Sequence, residues 1–182
     1  MLEGKRINLR VIETEDLETC QKWMNDIEFM GEFIFTRQQS LSETEKRMFS
    51  EYSEDWANFI IEKKDGTKIG VVLHFLSKIA FLDQVEVGCL ITPEERGNGY
   101  STEATEMIVD YLFLLKDIQR VQALTVEENT AAQRVLEKAS FKKEGLIRNV
   151  GFVKGRFRNG VLYSITREDW DQPRILTNVN TD

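Results

Sequence analysis

Arg96-Gly97-Asn98-Gly99-Tyr100-Ser101 sets two glycines just ahead of a segment whose Ala104, Met107, Ile108, Tyr111, Leu112 and Leu115 recur at helical spacing. A strand-like run from Gln84 to Ile91 stops immediately before it, at Thr92-Pro93. The glycine loop therefore sits on a helix N-terminus, where backbone N–H groups have no intrahelical partner and the helix dipole adds partial positive charge. A phosphate fits such a place. Gly97 and Gly99 permit backbone conformations and a close approach that a side chain would block, and Arg96 can add a charge-assisted contact to an anion. The same pattern also makes an ordinary strand-to-helix turn, so the rest of the chain has to decide between the two.

Lys5 to Val11 alternates apolar and polar residues as a strand does, and Glu15 to Met24 carries Leu17, Cys20 and Met24 at helical spacing. A second, acidic helix is expected from Ser42 to Tyr52, with Phe29, Phe33 and Phe35 in the loop between the two. Strands follow at Asn58 to Lys63 and Lys68 to Phe75, joined by the turn Lys64-Asp65-Gly66-Thr67. Beyond the glycine loop and its helix, Arg120 to Val126 is a strand and Asn129 can cap a helix whose Ala132, Val135, Leu136 and Ala139 share a face. Two final strands flank Lys154-Gly155. The order is mixed α/β.

At 182 residues and 41% hydrophobic composition, the chain supports one domain, expected over residues 1–170, followed by a polar, frayed tail over 171–182. A net charge of -7 argues against a nucleic-acid surface while tolerating a cationic substrate. Hydrophobic runs such as Tyr111 to Leu115 are far shorter than the roughly 20 residues that cross a bilayer. Met1 to Arg10 is charged throughout, with no apolar signal core, and Cys20 and Cys89 have no neighbouring metal-ligand partners. A reduced, cytoplasmic chain without metal or membrane contact is the expectation.

Among phosphate-binding loops, a P-loop needs Gly-Lys-Ser/Thr, and Gly99 is followed by Tyr100. A dinucleotide fingerprint needs a third small residue where Thr102 stands and an acidic residue about 20 positions on, and Glu127 lies too far downstream. Coenzyme A is the remaining diphosphate ligand of common use.

Ile7-Asn8-Leu9-Arg10, Val85-Glu86-Val87-Gly88, Pro93 through Tyr100, Glu127-Glu128-Asn129-Thr130-Ala131-Ala132, Val135-Leu136-Glu137-Lys138, Phe157-Arg158-Asn159 and Tyr163-Ser164 stand in an order and spacing that is specific together. In these the chain resembles the GCN5-related N-acetyltransferase (GNAT) superfamily, and within it the ribosomal-protein N-terminal (Rim-type) branch. The resemblance implies a single GNAT-like α/β (α+β) domain. Its mixed, twisted sheet of about seven strands would be flanked by helices and split like a V around acyl-CoA. It implies transfer of an acetyl group from acetyl-CoA to a primary amine: a protein N-terminus, or a small molecule such as a polyamine, amino sugar or aminoglycoside. A homodimer is also implied. A rival of another class is a non-catalytic acyl-CoA-binding sensor or scaffold.

Carried over by position, the loop Arg96, Gly97, Asn98, Gly99, Tyr100 and Ser101 would bind the pyrophosphate mainly through backbone N–H groups. Leu90, Ile91 and Thr92 would pair with the pantetheine arm, and Asn129 would touch the coenzyme, cap its helix, or do both. The family usually has glycine or alanine at Ser101, glycine at Ser140 and often aspartate at Asn159. Ser140 would alter the cleft wall, and an amide at 159 removes a carboxylate.

An alkyl amine has a pKa of roughly 10, so about one molecule in a thousand is neutral and nucleophilic at pH 7. A base helps, and the tetrahedral oxyanion needs a donor, which N–H groups at the end of the Gln84 to Ile91 strand can supply. Glu86 matches the family position from which such a base acts; otherwise it is a solvated or hydrogen-bonded strand glutamate. Ser140 and Tyr163 are the candidates for protonating the leaving thiolate, Tyr163 competing with a half-buried structural role. His74 and Cys89 are read as structural, since no His lies near Cys89 to activate it. Arg148, Lys154, Arg156 and Arg158 form either a solvated basic hairpin face or a contact for an acidic substrate segment or coenzyme phosphate. The acceptor pocket is expected from Met24 to Tyr52 and the terminal hairpin, with Phe29, Phe33, Phe35 and Trp56 either lining it or filling the core.

Overall fold

The computed structural model describes residues 1–34, 36–50, 56–79 and 82–175. Phe35, Tyr52 and the tail from 176 onward, all invoked above, lie outside the described residues. Strands β1 (Leu2–Glu3), β2 (Ile7–Val11), β3 (Trp56–Lys63), β4 (Lys68–Ile79), β5 (Leu82–Ile91), β6 (Arg120–Val126), β7 (Lys142–Val153) and β8 (Arg156–Thr166) form one sheet in the order β1-β2-β3-β4-β5-β6-β8-β7. The eight strands among the described residues exceed the expected seven by the two-residue β1, too short to leave a periodic signature. All neighbours pair antiparallel except β5 and β6, which are parallel and joined through helix α4 (Tyr100–Leu115).

Alternation along the central strands divides the core into two layers. Phe59, Ile61 and Val72 pack with Ala104, Met107, Ile108 and Leu112 of α4 and with Leu136 of α5 (Thr130–Lys138). Ile60 and Val71 face the other way, onto Leu17, Cys20 and Met24 of α1 (Leu17–Asn25) and Phe29 and Met30 of α2 (Ile27–Met30). One sheet is thus covered on both faces, which is why β3 and β4 read as near-continuous apolar runs. Leu115, expected on the inner face of α4, is 61% exposed because it stands at the helix end.

The expected second helix is α3 (Leu41–Glu45), capped by Ser40 and Glu43, and it continues as a π-helical turn over Lys46–Ser50. The start of the supposed tail is not frayed. Asp110 on α4 accepts the backbone amides of Arg174 and Ile175 and the indole N–H of Trp170, which ends α6 (Arg167–Trp170). Ile175 packs on the main core, an anchoring by a single buried carboxylate that a polar-looking segment conceals.

β5 and β6 pair only at Val85↔Val121 and Glu86↔Gln122. Beyond those two rows they diverge, opening a V that runs to the glycine loop.

Candidate active site

The V holds a cleft of ≈ 790 Å³, within the usual range for a small-molecule site. Its wall beside the glycine loop is backbone. Gly97 and Gly99 both have φ near +80° (81° and 82°), the left-handed region that glycine enters without cost. Gly99 is the N-cap residue of α4, and no side chain caps the helix, so its first amides remain available to a ligand.

The loop is held from behind. Arg6 donates to the carbonyls of Asn98 (2.7 Å) and Gly99 (3.1 Å) and to the buried Glu103 carboxylate (2.8 Å), which also accepts the Arg6 amide. With its carbonyls drawn toward Arg6, the loop turns its N–H groups the opposite way. Arg96 does a similar job. Its guanidinium donates to the carbonyls of Ile91 (3.1 Å), Glu28 (2.8 Å) and Phe29 (2.8 Å), tying the loop to β5 and α2, and the residue also lines the cleft.

Thr92 donates its amide to the Ile69 carbonyl of β4 (2.8 Å). Since successive strand residues turn their N–H groups to opposite edges, the amides of Leu90 and Gly88 also face β4, and those of Ile91, Cys89 and Val87 face the open gap. Of the three residues expected to pair with the pantetheine arm, Leu90 and Ile91 line the cleft and Thr92 does not. The sequence points to N–H groups at the end of this strand but not to Val87 and Cys89 in particular, because it marks the strand and not which edge loses its neighbour. The Cys89 thiol touches Ser101, and burial pushes its pKa up to about 12, so it stays a packed thiol. Ser101 lines the cleft, and Asn129 does too while its side-chain oxygen caps α5 at Ala132 N (3.1 Å), leaving its NH2 group for a ligand.

Glu86 lies at the apex of the V, two residues from the lining residue Gly88 on the same face of β5, in the last row before the strands part. Burial raises its pKa above the ordinary glutamate value, opposed by hydrogen bonds from Gln122 (3.1 Å) and Ser77. Glu86 itself is not among the lining side chains, nor are Ser140 and Tyr163.

Tyr163 is fully buried under α5, its hydroxyl bonded to Gln133 (3.2 Å) and Glu137 (3.1 Å). Ser140 follows the end of α5 at φ 66°, which accounts for the glycine usual there, and its hydroxyl meets Arg174 at 2.5 Å, away from the cleft wall it was expected to alter. Asn159 accepts the amide of Asn149 (3.1 Å) in a bulge of β7 and donates to Glu127 (2.9 Å). An aspartate could accept but not donate, so the amide suits this contact. Arg158 is only 7% exposed, paired with Glu128 at 2.5 Å, and lines the cleft; the solvated-face reading fails for it, whereas Arg148, Lys154 and Arg156 are exposed. His74 is buried and its ring lies 6.3 Å from that of Tyr111. Phe29 stacks on Trp23 at 5.1 Å, and Phe29, Phe33 and Trp56 all line the cleft.

A parallel pair forced apart, a glycine loop with uncapped amides and a half-buried carboxylate at the apex suit a ligand with a diphosphate and an extended amide-bearing arm. Residues 6–142 match the family model described as the acetyltransferase (GNAT) domain. The chain belongs to the GNAT acetyltransferase family. This N-acetyltransferase is 28% identical over 181 residues to the probable N-acetyltransferase YjcK of Bacillus subtilis (strain 168), covering 94% of this chain and 100% of that protein. It shares its fold with Mycobacterium smegmatis RimJ, solved in complex with CoA-disulfide (TM-score 0.82, 21% identity, 94% of this chain and 90% of that one). The spermidine N-acetyltransferase of Vibrio cholerae, solved with CoA and spermine, is similar in fold as well (TM-score 0.81, 22% identity, 92% and 99%). No helix among the described residues of the acetyltransferase is long and apolar enough to cross a membrane.

Proposed function

We propose that this acetyltransferase takes its acetyl group from acetyl-CoA, binding the pyrophosphate on the amides of Gly97 to Ser101 and the pantetheine arm along the gap-facing edge of β5. The observation that carries this reading is the parting of β5 and β6 immediately beyond Glu86↔Gln122, which leaves strand amides unpaired beside an uncapped helix N-terminus. The amides of Val87 and Cys89 are the nearest donors for the oxyanion of the tetrahedral intermediate.

Glu86 is the proposed base. It removes a proton from the acceptor amine, directly or through one water, and its pKa, raised by burial, makes it a better base than an exposed glutamate. Ser140 and Tyr163, whose hydroxyls are engaged by Arg174 and by Gln133 and Glu137, are given no part in protonating the thiolate. A cytoplasmic homodimer without nucleic-acid or metal partners is carried forward from the sequence as part of the proposal.

Calorimetry with acetyl-CoA, paired with thiol release in the presence of amines, tests the reading. Binding together with acceptor-dependent thiol release is the expected result. Binding without release from any amine would favour the sensor alternative, and no binding would overturn the coenzyme assignment.

A further inference from the structure

At the apex of the V, β6 buries a polar side chain in a position that packing alone would give to an apolar one. Val121 and Ala123 face the α4 layer, as a central strand requires, while Gln122 between them points to the opposite face and is only 1% exposed. An apolar side chain of similar volume, such as methionine, would fill that place without an amide to satisfy. The Gln122 amide is directed at one group. Its Nε2 donates to Oε2 of Glu86 at 3.1 Å.

Register makes this contact direct. Glu86 and Gln122 are partners in the last row before β5 and β6 part, so their side chains stand side by side on one face of the sheet. From the other flank, Ser77 of β4 donates to the same carboxylate. Glu86 is thus held from both neighbouring strands at the point where the cleft opens. A glutamine NH2 group can give a hydrogen bond but cannot take up a proton, so at this contact it favours the ionised carboxylate, in opposition to desolvation. Trp56 and Phe75 complete the row on β3 and β4 and carry no charge. Among the described residues, the charged side chains farther along this face are engaged with one another or with α6: Arg120, two residues from Gln122 on β6, approaches Glu144 of β7 (3.6 Å), and Lys142 of β7 bonds Asp169 (2.5 Å). The balance at Glu86 is therefore between desolvation and two neutral donors.

We propose that Gln122 is a positioning residue for acetyl transfer: its side-chain NH2 holds the Glu86 carboxylate in the orientation and the ionised form that accept a proton from the amine. Gln122 is not among the lining side chains and touches neither substrate, so it acts through Glu86 alone. As the amine nitrogen bonds to the acyl carbon its proton passes to Glu86, and Gln122 keeps both of its own. The inference rests on the assignment of Glu86 as the base and gives β6 a part in a step otherwise carried by β5.

Two substitutions and two readouts test it. Gln122→Met keeps the volume and removes the donor, and Gln122→Glu keeps the shape while setting a second carboxylate against the first, with circular dichroism confirming the fold of both. A carboxyl 13C NMR titration, with Glu86→Gln identifying the resonance, follows the Glu86 pKa in the absence of any acceptor. The pH dependence of kcat/KM is followed by thiol release from acetyl-CoA, with whichever of spermidine, glucosamine and an alanine-initiated hexapeptide the wild type turns over fastest. In Gln122→Met the Glu86 pKa and the acid limb of the rate should both rise by about one pH unit, as loss of one hydrogen bond to a charged group would give. Activity at neutral pH then falls, because only the ionised form accepts a proton. The rate above the limb should also fall, about threefold to tenfold, since the carboxylate is no longer held in place, while acetyl-CoA affinity measured by calorimetry stays unchanged. Gln122→Glu should move the pKa and the limb further in the same direction. A Glu86 pKa and an acid limb that stay at their wild-type positions in both variants would overturn the inference and leave the base assignment standing. A pKa that rises in the titration without moving the rate profile would overturn the base assignment, and the inference with it.

Discussion

The two walls of the cleft offer different kinds of contact. On the side proposed for the coenzyme they are main-chain amides: a helix start freed by two glycines at positive φ and a strand edge freed by a departing neighbour. On the acceptor side they are side chains, from β3, from the segment after α2 and from the π-helical turn, brought together only by tertiary packing. A backbone surface keeps its ligand while the side chains around it drift, whereas a side-chain surface can be respecified one residue at a time. A family can in this way hold one donor and exchange acceptors.

If the apex carboxylate serves the acceptor amine, substitutions on the two walls should separate in their kinetics. Glu86→Gln is expected to have the largest effect, lowering kcat about 100-fold with acetyl-CoA affinity kept, as loss of a general base does. In the wild type the rate should fall as pH drops through the Glu86 pKa, because only the ionised form accepts a proton. Burial puts that limb above the ordinary glutamate value, and the limb should vanish in Glu86→Gln. A pH profile of kcat/KM that is the same in both proteins would sink the base assignment. Gly99→Ala acts on the other wall. An L-residue at φ 82° costs about 1–2 kcal/mol, and the new Cβ would stand 3.2 Å from an Arg6 guanidinium nitrogen, so KM for acetyl-CoA should rise about tenfold with kcat nearly unchanged.

The same division explains what could be read in the sequence. Strands β3 to β6 and helices α4 and α5 were legible because their apolar periodicity is local, and the loop because glycine marks positive φ. The Asn129 cap was legible for the same reason. The tether made by Arg96 was not: an arginine beside a glycine loop looks like an anion ligand, and only the packing of α2 beside the end of β5 reveals the two carbonyls of α2 and that of Ile91 which accept from it. Ser140 and Tyr163 have hydroxyls of the right chemistry, and nothing local shows that α5 and Arg174 occupy them.

Arg6 gives the finest separation between the walls. It lies more than ninety residues from the loop in sequence yet fixes two of its carbonyls, so it belongs to the coenzyme wall without touching coenzyme. Arg6→Lys keeps a cation beside the buried Glu103 but loses the planar fork that reaches both Asn98 and Gly99. Thermal stability should therefore stay close to wild type while KM for acetyl-CoA rises about threefold, the worth of a modest hydrogen bond. Neither kcat nor acceptor preference should change, because the amides moved are those facing phosphate. A shift in acceptor preference with unchanged acetyl-CoA affinity would mean that the loop carbonyls are not what Arg6 holds in place, and that the two walls are coupled through β2 instead.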